Sequence, residues 1–172
     1  MAAYRACEKI YDQTYDETHD YTRKQGLLDK DILAPEHAPE WTRDRGQLWN
    51  AVEQSELKKD GGLKAKAQLA RDIVVPLPHE LGLETNRAAL REWIAEQFVS
   101  RGMIADYAIH EPDKDGDNRN FHAHVMLTMR EILEDGFNPE KRKSAARTWN
   151  NKNLLEESID RWQDIQNLEL EK

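Results

Sequence analysis

The sequence predicts a mixed α+β fold with an antiparallel hairpin at its heart, and three observations lead there. Met103–His110 (MIADYAIH) and Phe121–Arg130 (FHAHVMLTMR) are apolar, strand-like runs joined by the polar, turn-forming EPDKDGDNRN. Arg71–Leu77 (RDIVVPL) is a third short run rich in β-branched residues. From Asn86 to Ser100, Leu90, Trp93, Ile94 and Phe98 recur at helical spacing. Helices therefore alternate with short strands in one chain.

Taken in order, Ala2–Asp12 reads as a helix, because Tyr4, Cys7, Ile10 and Tyr11 fall near one face. Asp16–Pro39 reads as loop, with a short extended piece at Asp31–Ala34. Glu40–Lys59 reads as a second helix. Trp41, Leu48, Trp49, Val52 and Leu57 supply its apolar side, and Asp60-Gly61-Gly62 ends it. Pro76 cannot donate a ladder hydrogen bond, so the Arg71–Leu77 strand ends there or lies at a sheet edge. Thr85 or Asn86 suits the cap of the Asn86–Ser100 helix, and Gly102 suits its stop. Trp149 onward reads as a last helix with Leu154, Leu155, Ile159, Trp162 and Ile165 in one stripe. No repeat or linker divides the chain, so residues 1–172 read as a single domain.

Composition narrows the function classes. Charged residues make up 34% of the chain, and the mean hydropathy is −0.91. The chain reads as soluble, with no membrane segment and no secretory leader. Cys7 is the single cysteine, which excludes an internal disulfide and fits a reducing cytoplasm. A net charge of −8 argues against a protein that coats nucleic acid nonspecifically. Local basic tracks remain: Glu56–Arg71, with Lys58, Lys59, Lys64, Lys66 and Arg71, and Asn138–Arg147 each carry a net +3. They are either solvated faces or phosphate contacts.

Chemistry concentrates on the hairpin. Residues two apart on a strand share a face, so His122 and His124 project together. His110 ends the partner strand and approaches the same face. Three neutral imidazoles suit Mn²⁺, Zn²⁺, Co²⁺ or Ni²⁺ better than Mg²⁺. Three protein ligands leave positions open for a substrate oxygen. The bland alternative is a set of surface histidines. Asp113, Asp115 and Asp117 resemble a calcium loop only loosely, because the position that needs glutamate is His124. They are read as turn residues. A metal with open positions polarises a phosphate, and a nearby tyrosine can then attack phosphorus. Tyr4, beside Arg5, and Tyr21, in the basic loop HDYTRKQG, are the candidates. On periodicity alone, the better reading makes Tyr4 a core-edge aromatic and Tyr21 a loop anchor.

The ordered set of segments resembles the MobA/MobL relaxases, the MobQ group that includes TraA conjugal-transfer proteins. AAYRACEKIYD, THDYTRKQG, DILAP, HAPEWTRDRGQLWNAVEQSE, LARDIVVPLPHEL, GMIADYAIH and NRNFHAHVMLTMR follow in that family's order across nearly the whole chain. The resemblance implies an HUH endonuclease fold, an antiparallel sheet flanked by helices with the metal histidines on a central hairpin. It implies metal-dependent, site- and strand-specific nicking of transfer-origin DNA in the bacterial cytoplasm, through a 5′-phosphotyrosyl intermediate. Tyr4 matches the nucleophile, and His110, His122 and His124 match the metal ligands. Asp72 matches an acidic position that is usually glutamate, and Glu80 matches another recurring acid. Mn²⁺ or Mg²⁺ is the implied cofactor. Single-stranded origin DNA is the implied partner, with other relaxosome proteins. Lys58, Lys59, Arg71 and Arg5 are the residues read as DNA contacts.

The chain departs from that family's pattern in places. Met1 stands three residues before Tyr4, where the family has a leading strand and a Ser/Gly-rich turn. DGGLKAKAQ lengthens the connection before Arg71, and Pro76 falls where a sheet residue is usual. Against the family, the domain reads as shortened at both ends. A remnant that binds origin DNA without cutting it is therefore an alternative to the working relaxase. A water-using metal phosphodiesterase is a third reading.

Overall fold

The computed structural model describes residues 1–172 apart from the side chain of Arg142. The predicted hairpin forms its centre. Strands β5 (Ala105–His110) and β6 (His122–Thr128) pair antiparallel, with His110 opposite His122 and Ala108 opposite His124. Strand β3 (Leu27–Leu33) joins the outer side of β5, and β4 (Ala70–Pro76) the outer side of β6. The result is a four-stranded antiparallel sheet in the order β3-β5-β6-β4. Pro76 closes an edge strand, as its missing N–H requires.

The two faces of this sheet differ in chemistry. One face carries Ile73, Val75, Tyr107, Ile109, Val125 and Leu127 into the main core. There it meets α3 (Gly82–Gln97) and α4 (Lys152–Leu170), whose Leu90, Trp93, Ile94, Trp162 and Ile165 are buried. Trp93 is fully buried, and its indole N–H donates to Ser158 O at 2.7 Å, so a large apolar ring is covered without an orphaned donor. The other face carries the histidines, Asp72, Asp106 and Met126. It is covered in part by α1 (Ala2–Ala6) and α2 (Arg45–Ser55).

Several sequence expectations need correction. The first helix stops at Ala6, and β1 (Lys9–Asp12) follows, paired with β2 (Glu17–Asp20). Cys7 turns the chain in the left-handed region at φ 51°, and Glu8 N–H donates to Ala3 O across it. Only Ile10 of β1 is buried, so the apparent helical stripe was a strand alternation. The expected loop contains β2 and a β3 longer than Asp31–Ala34. Acidic and basic residues hid β3. Its Asp29 accepts from Tyr107 and its Asp31 from Arg91, the charged dressing common on edge strands. The Glu40–Lys59 helix is broken at Asp44, which ends a 3-10 turn and caps α2 by accepting from Gln47 N–H at 2.8 Å. Helix α3 starts at Gly82, ahead of Thr85, and Asn86 is buried inside it. On α4, Ile159 is 41% exposed and Ser158 takes its place in the buried stripe. Among the described residues, no helix is long and apolar enough to cross a membrane.

A buried charge network locks α1 to the sheet. Arg45 Nε donates to both oxygens of Asp106 at 2.9 and 3.0 Å, and Trp49 Nε1 donates to Asp106 Oδ2 at 2.8 Å. The same guanidinium reaches Glu8, just past α1, and Lys30 of β3 pairs with Glu8 as well. Lys30 also donates to Ala6 O, the last residue of α1, at 2.8 Å.

Two stability outcomes follow. Arg45→Met strands Asp106 in the interior, so chemical denaturation should register a loss of about 3–5 kcal/mol. Cys7→Gly removes a Cβ from a left-handed residue, so the same assay should register a gain of about 1 kcal/mol.

Candidate metal and tyrosine site

The pairing of β5 with β6 determines where the histidines go. His110 and His122 are directly opposed, and His124 lies two residues along the same face. Their ring centres are 5.8, 5.7 and 5.3 Å apart. Helix α1 crosses above them and presents Tyr4 and Arg5. The loop after β2 brings Lys24 to the same place. Together these residues line a cleft of about 320 Å³. A larger hollow of about 570 Å³ lies on the other flank of α1, lined by apolar groups such as Ile10, Trp49 and Met126. It holds none of the three histidines.

Hydrogen bonds set the nitrogen lone pairs. His122 Nδ1 lies 3.0 Å from Asn120 O, so Nδ1 carries the proton and Nε2 is free. Arg5 Nη1 lies 3.0 Å from His124 Nε2. A guanidinium only donates, so Nε2 is the acceptor and Nδ1 holds the proton. That Nδ1 faces Asp72 Oδ1 at 3.6 Å, an ion-pair distance rather than a hydrogen bond. Arg5 Nη2 donates to Asp72 Oδ2 at 3.0 Å. Burial pushes the Asp72 carboxyl up, but the contacts with His124 and Arg5 outweigh it and hold it below the usual range. Asp72 is thus an anion that orients both neighbours. His110 is buried, and its Nε2 has no hydrogen-bond partner. Burial, with the nearby charge of Lys24, takes it down to about 4, so it is neutral near pH 7.

These groups fit a divalent cation in kind. They are imidazoles on one face, one carboxylate lies behind a ring, and two buried ring nitrogens, Nε2 of His110 and Nδ1 of His124, lack a hydrogen-bond partner. Three rings each bound through one nitrogen at about 2.1 Å would have centres roughly 5 Å apart, close to the spacing seen. As they stand, no three histidine, cysteine or acidic side chains among the described residues gather closely enough to hold an ion. Arg5 occupies the lone pair of His124 and must yield it first.

The whole chain, residues 1–172, matches the model of the MobA/MobL family. The chain belongs to the MobA/MobL family. Conjugal transfer protein TraA of Agrobacterium fabrum is 38% identical over 150 residues, which cover 81% of this chain and 13% of that protein. Mobilization protein MobL of Acidithiobacillus ferridurans is 33% identical, over 78% of this chain and 39% of its own length. This MobA/MobL chain thus corresponds to a small part of the curated relatives it matches. A solved structure described as "Molecular Basis of Vancomycin Resistance Transfer in Staphylococcus aureus" superposes with a TM-score of 0.83 at 32% identity. It covers 99% of this chain and 82% of the solved one. The α+β architecture, an antiparallel sheet flanked by helices, is shared with it.

Other residues picked from the MobA/MobL resemblance or from basic tracks lie elsewhere. Arg71 points to the opposite face of the sheet, where it donates to Trp149 O and Asn150 Oδ1, so it is a structural tie and not a contact at this cleft. Lys58 and Lys59 lie on the turn beyond α2, outside the cleft. Glu80 is 59% exposed, pairs with His79 at 3.0 Å, and does not line the cleft. Tyr21 packs edge-on against Tyr4 with ring centres 5.2 Å apart, so it supports the exposed tyrosine. Lys24 is the residue the sequence reading missed. Its neighbour Tyr21 had been singled out, but nothing in HDYTRKQG says which cation turns inward.

The low His110 value has a measurable consequence. The unfolded histidine titrates near 6.5, so between pH 6.5 and about 4 the unfolded chain takes a proton that the folded chain refuses. His110's contribution to stability is therefore full above pH 6.5 and is lost as pH falls toward 4. With a chelator present, imidazole NMR should place the His110 midpoint near 4, and the denaturation midpoint should fall across this window.

Proposed function

We propose that this domain nicks one strand of DNA at a transfer origin by tyrosine transesterification. The observation that carries the reading is the meeting of an exposed tyrosine with three histidines in one cleft, in a chain of the MobA/MobL family. Tyr4 is 43% exposed and is held by packing against Tyr21. Its Oη attacks the scissile phosphorus. The new Tyr4 O–P bond joins the protein to the 5′ end, the P–O3′ bond breaks, and the 3′ oxygen takes a proton from solvent as it leaves as a hydroxyl. The phenolic proton passes to solvent. Asp72 is a poor acceptor for it, because two cationic or donor groups hold it ionised.

His110, His122 and His124 would hold a divalent cation, Mn²⁺ or Mg²⁺ in keeping with the family resemblance, though nitrogen donors favour Mn²⁺. When bound, such an ion neutralises charge on a nonbridging phosphate oxygen. Asp72 keeps the protonated nitrogen of His124 turned away from the ion's side. Glu8, Arg45 and Lys30 fix the end of α1, and with it the height of Tyr4 over the histidines. Transfer-origin single strands are the proposed substrate. Other relaxosome proteins are proposed partners.

The test is incubation with Mn²⁺ and labelled single-stranded oligonucleotides spanning the transfer origin carried by the same replicon. A protein–DNA band that survives denaturation is expected, abolished by EDTA and by Tyr4→Phe. A gel shift with no covalent band would leave a domain that only binds. Asp72→Asn should weaken Mn²⁺ binding about 10- to 100-fold, read by titration calorimetry.

A further inference from the structure

We infer that Lys24 is a catalytic residue of this site, donating from its ammonium to a nonbridging oxygen of the very phosphate that Tyr4 attacks. The inference rests on the phosphodiester reading above and adds a residue to it.

Of the lysines lining the cleft, Lys114 is exposed on the polar turn and Lys24 is the one packed beside α1. Arg5 is committed to Asp72 and His124. Lys30 and Arg45 are committed to Glu8. Lys24 is half-buried, yet among the described residues it has no carboxylate partner. Its Nζ lies instead 4.6 Å from the centre of the Tyr4 ring. A partly desolvated ammonium with only an aromatic face for company is weakly satisfied, and an anion arriving beside it displaces that contact at little cost.

The backbone fixes this position. Lys24 N–H donates to Tyr21 O, closing a turn directly beneath the tyrosine pair. Two residues on, Gly26 adopts φ 90° and its carbonyl accepts from Glu111 N–H at 2.9 Å. Glu111 immediately follows His110, so the loop is pinned to the end of β5. Lys24 is consequently held between the tyrosine and the first histidine.

A phosphate lying between Tyr4 Oη and the histidines therefore meets two faces. The histidine side addresses one nonbridging oxygen, and the Lys24 side addresses the other. Negative charge grows on these oxygens as the tyrosine adds, so the ammonium acts where the transition state needs it. No proton need move from Lys24, and the bonds made and broken are those of the tyrosine transfer.

The test measures single-turnover adduct formation by the full chain with Mn²⁺. It uses Lys24→Met and Lys24→Arg, and a normal strand and one with a single methylphosphonate at the scissile position, its two isomers resolved and assayed apart. Affinity is read separately in a Tyr4→Phe background. Lys24→Met is expected to slow adduct formation on the normal strand about 100-fold. In one methylphosphonate isomer it should cause no further slowing beyond that of the isomer with wild-type protein, because the oxygen it serves is replaced there; in the other isomer the loss should persist. Affinity should change less than rate, and Lys24→Arg should restore part of the rate. An equal loss on the normal strand and both isomers, a loss confined to affinity, or an unchanged rate overturns the assignment. A wild-type chain forming no Tyr4 adduct on either strand overturns the nicking reading itself, and Lys24's role with it.

Discussion

Asp106 sits in the middle strand pair, 5% exposed, and everything on the cleft side of the sheet is arranged around keeping its charge satisfied. Arg45 and Trp49 reach it from α2, and Arg45 continues to Glu8 beyond α1. An unpaired carboxylate in that place would be costly to fold. The chain therefore has little freedom in how α2 and the end of α1 lie on the sheet. Helix α1 has five residues and cannot hold itself together in water, so its form depends on this anchorage. Tyr4 and Arg5 inherit their positions from the salt link at Glu8, a few residues further along the chain.

The sheet separates two physical tasks. Its α3/α4 face is apolar and tryptophan-rich, and supplies the burial that stabilises the domain. Its other face gathers the ionisable groups and leaves a cleft open to solvent. Strands β5 and β6 lie at the centre and are paired on both sides. Imidazoles mounted on them move less than they would on a loop. Arg5 adds an element of competition, since its guanidinium and a cation need the same lone pair of His124.

Much of this was legible in the sequence, for identifiable reasons. The alternation in FHAHVMLTMR placed His122 and His124 on one face, and the strand before it supplied His110. Those inferences needed only the two-residue period of a strand. The break at Cys7 was not legible, because a left-handed non-glycine residue has no residue signature and Ile10 and Tyr11 fell near a helical phase. Strand β3 was masked by Asp29, Lys30 and Asp31, whose charges are answered by residues far along the chain. Arg71 looked like a phosphate contact because strand parity, not charge, decides which face it serves, and its neighbours Ile73 and Val75 already pointed to the core side. Lys24 depends on a turn and on a tether to Glu111, and neither leaves a local pattern.

The pairing of His110 with His122 carries a lesson about how such sites are recognised in other chains. What joins them is the ladder, not the polar stretch between them, which touches solvent along most of its length. Only its middle is free to lengthen or shorten, because Glu111 at one end holds the Lys24 loop and Asn120 at the other holds His122. A single residue inserted inside either strand would instead turn the imidazoles toward the tryptophans of the opposite layer. Spacing along the chain is thus a poor fingerprint for this centre, and strand phase is a good one.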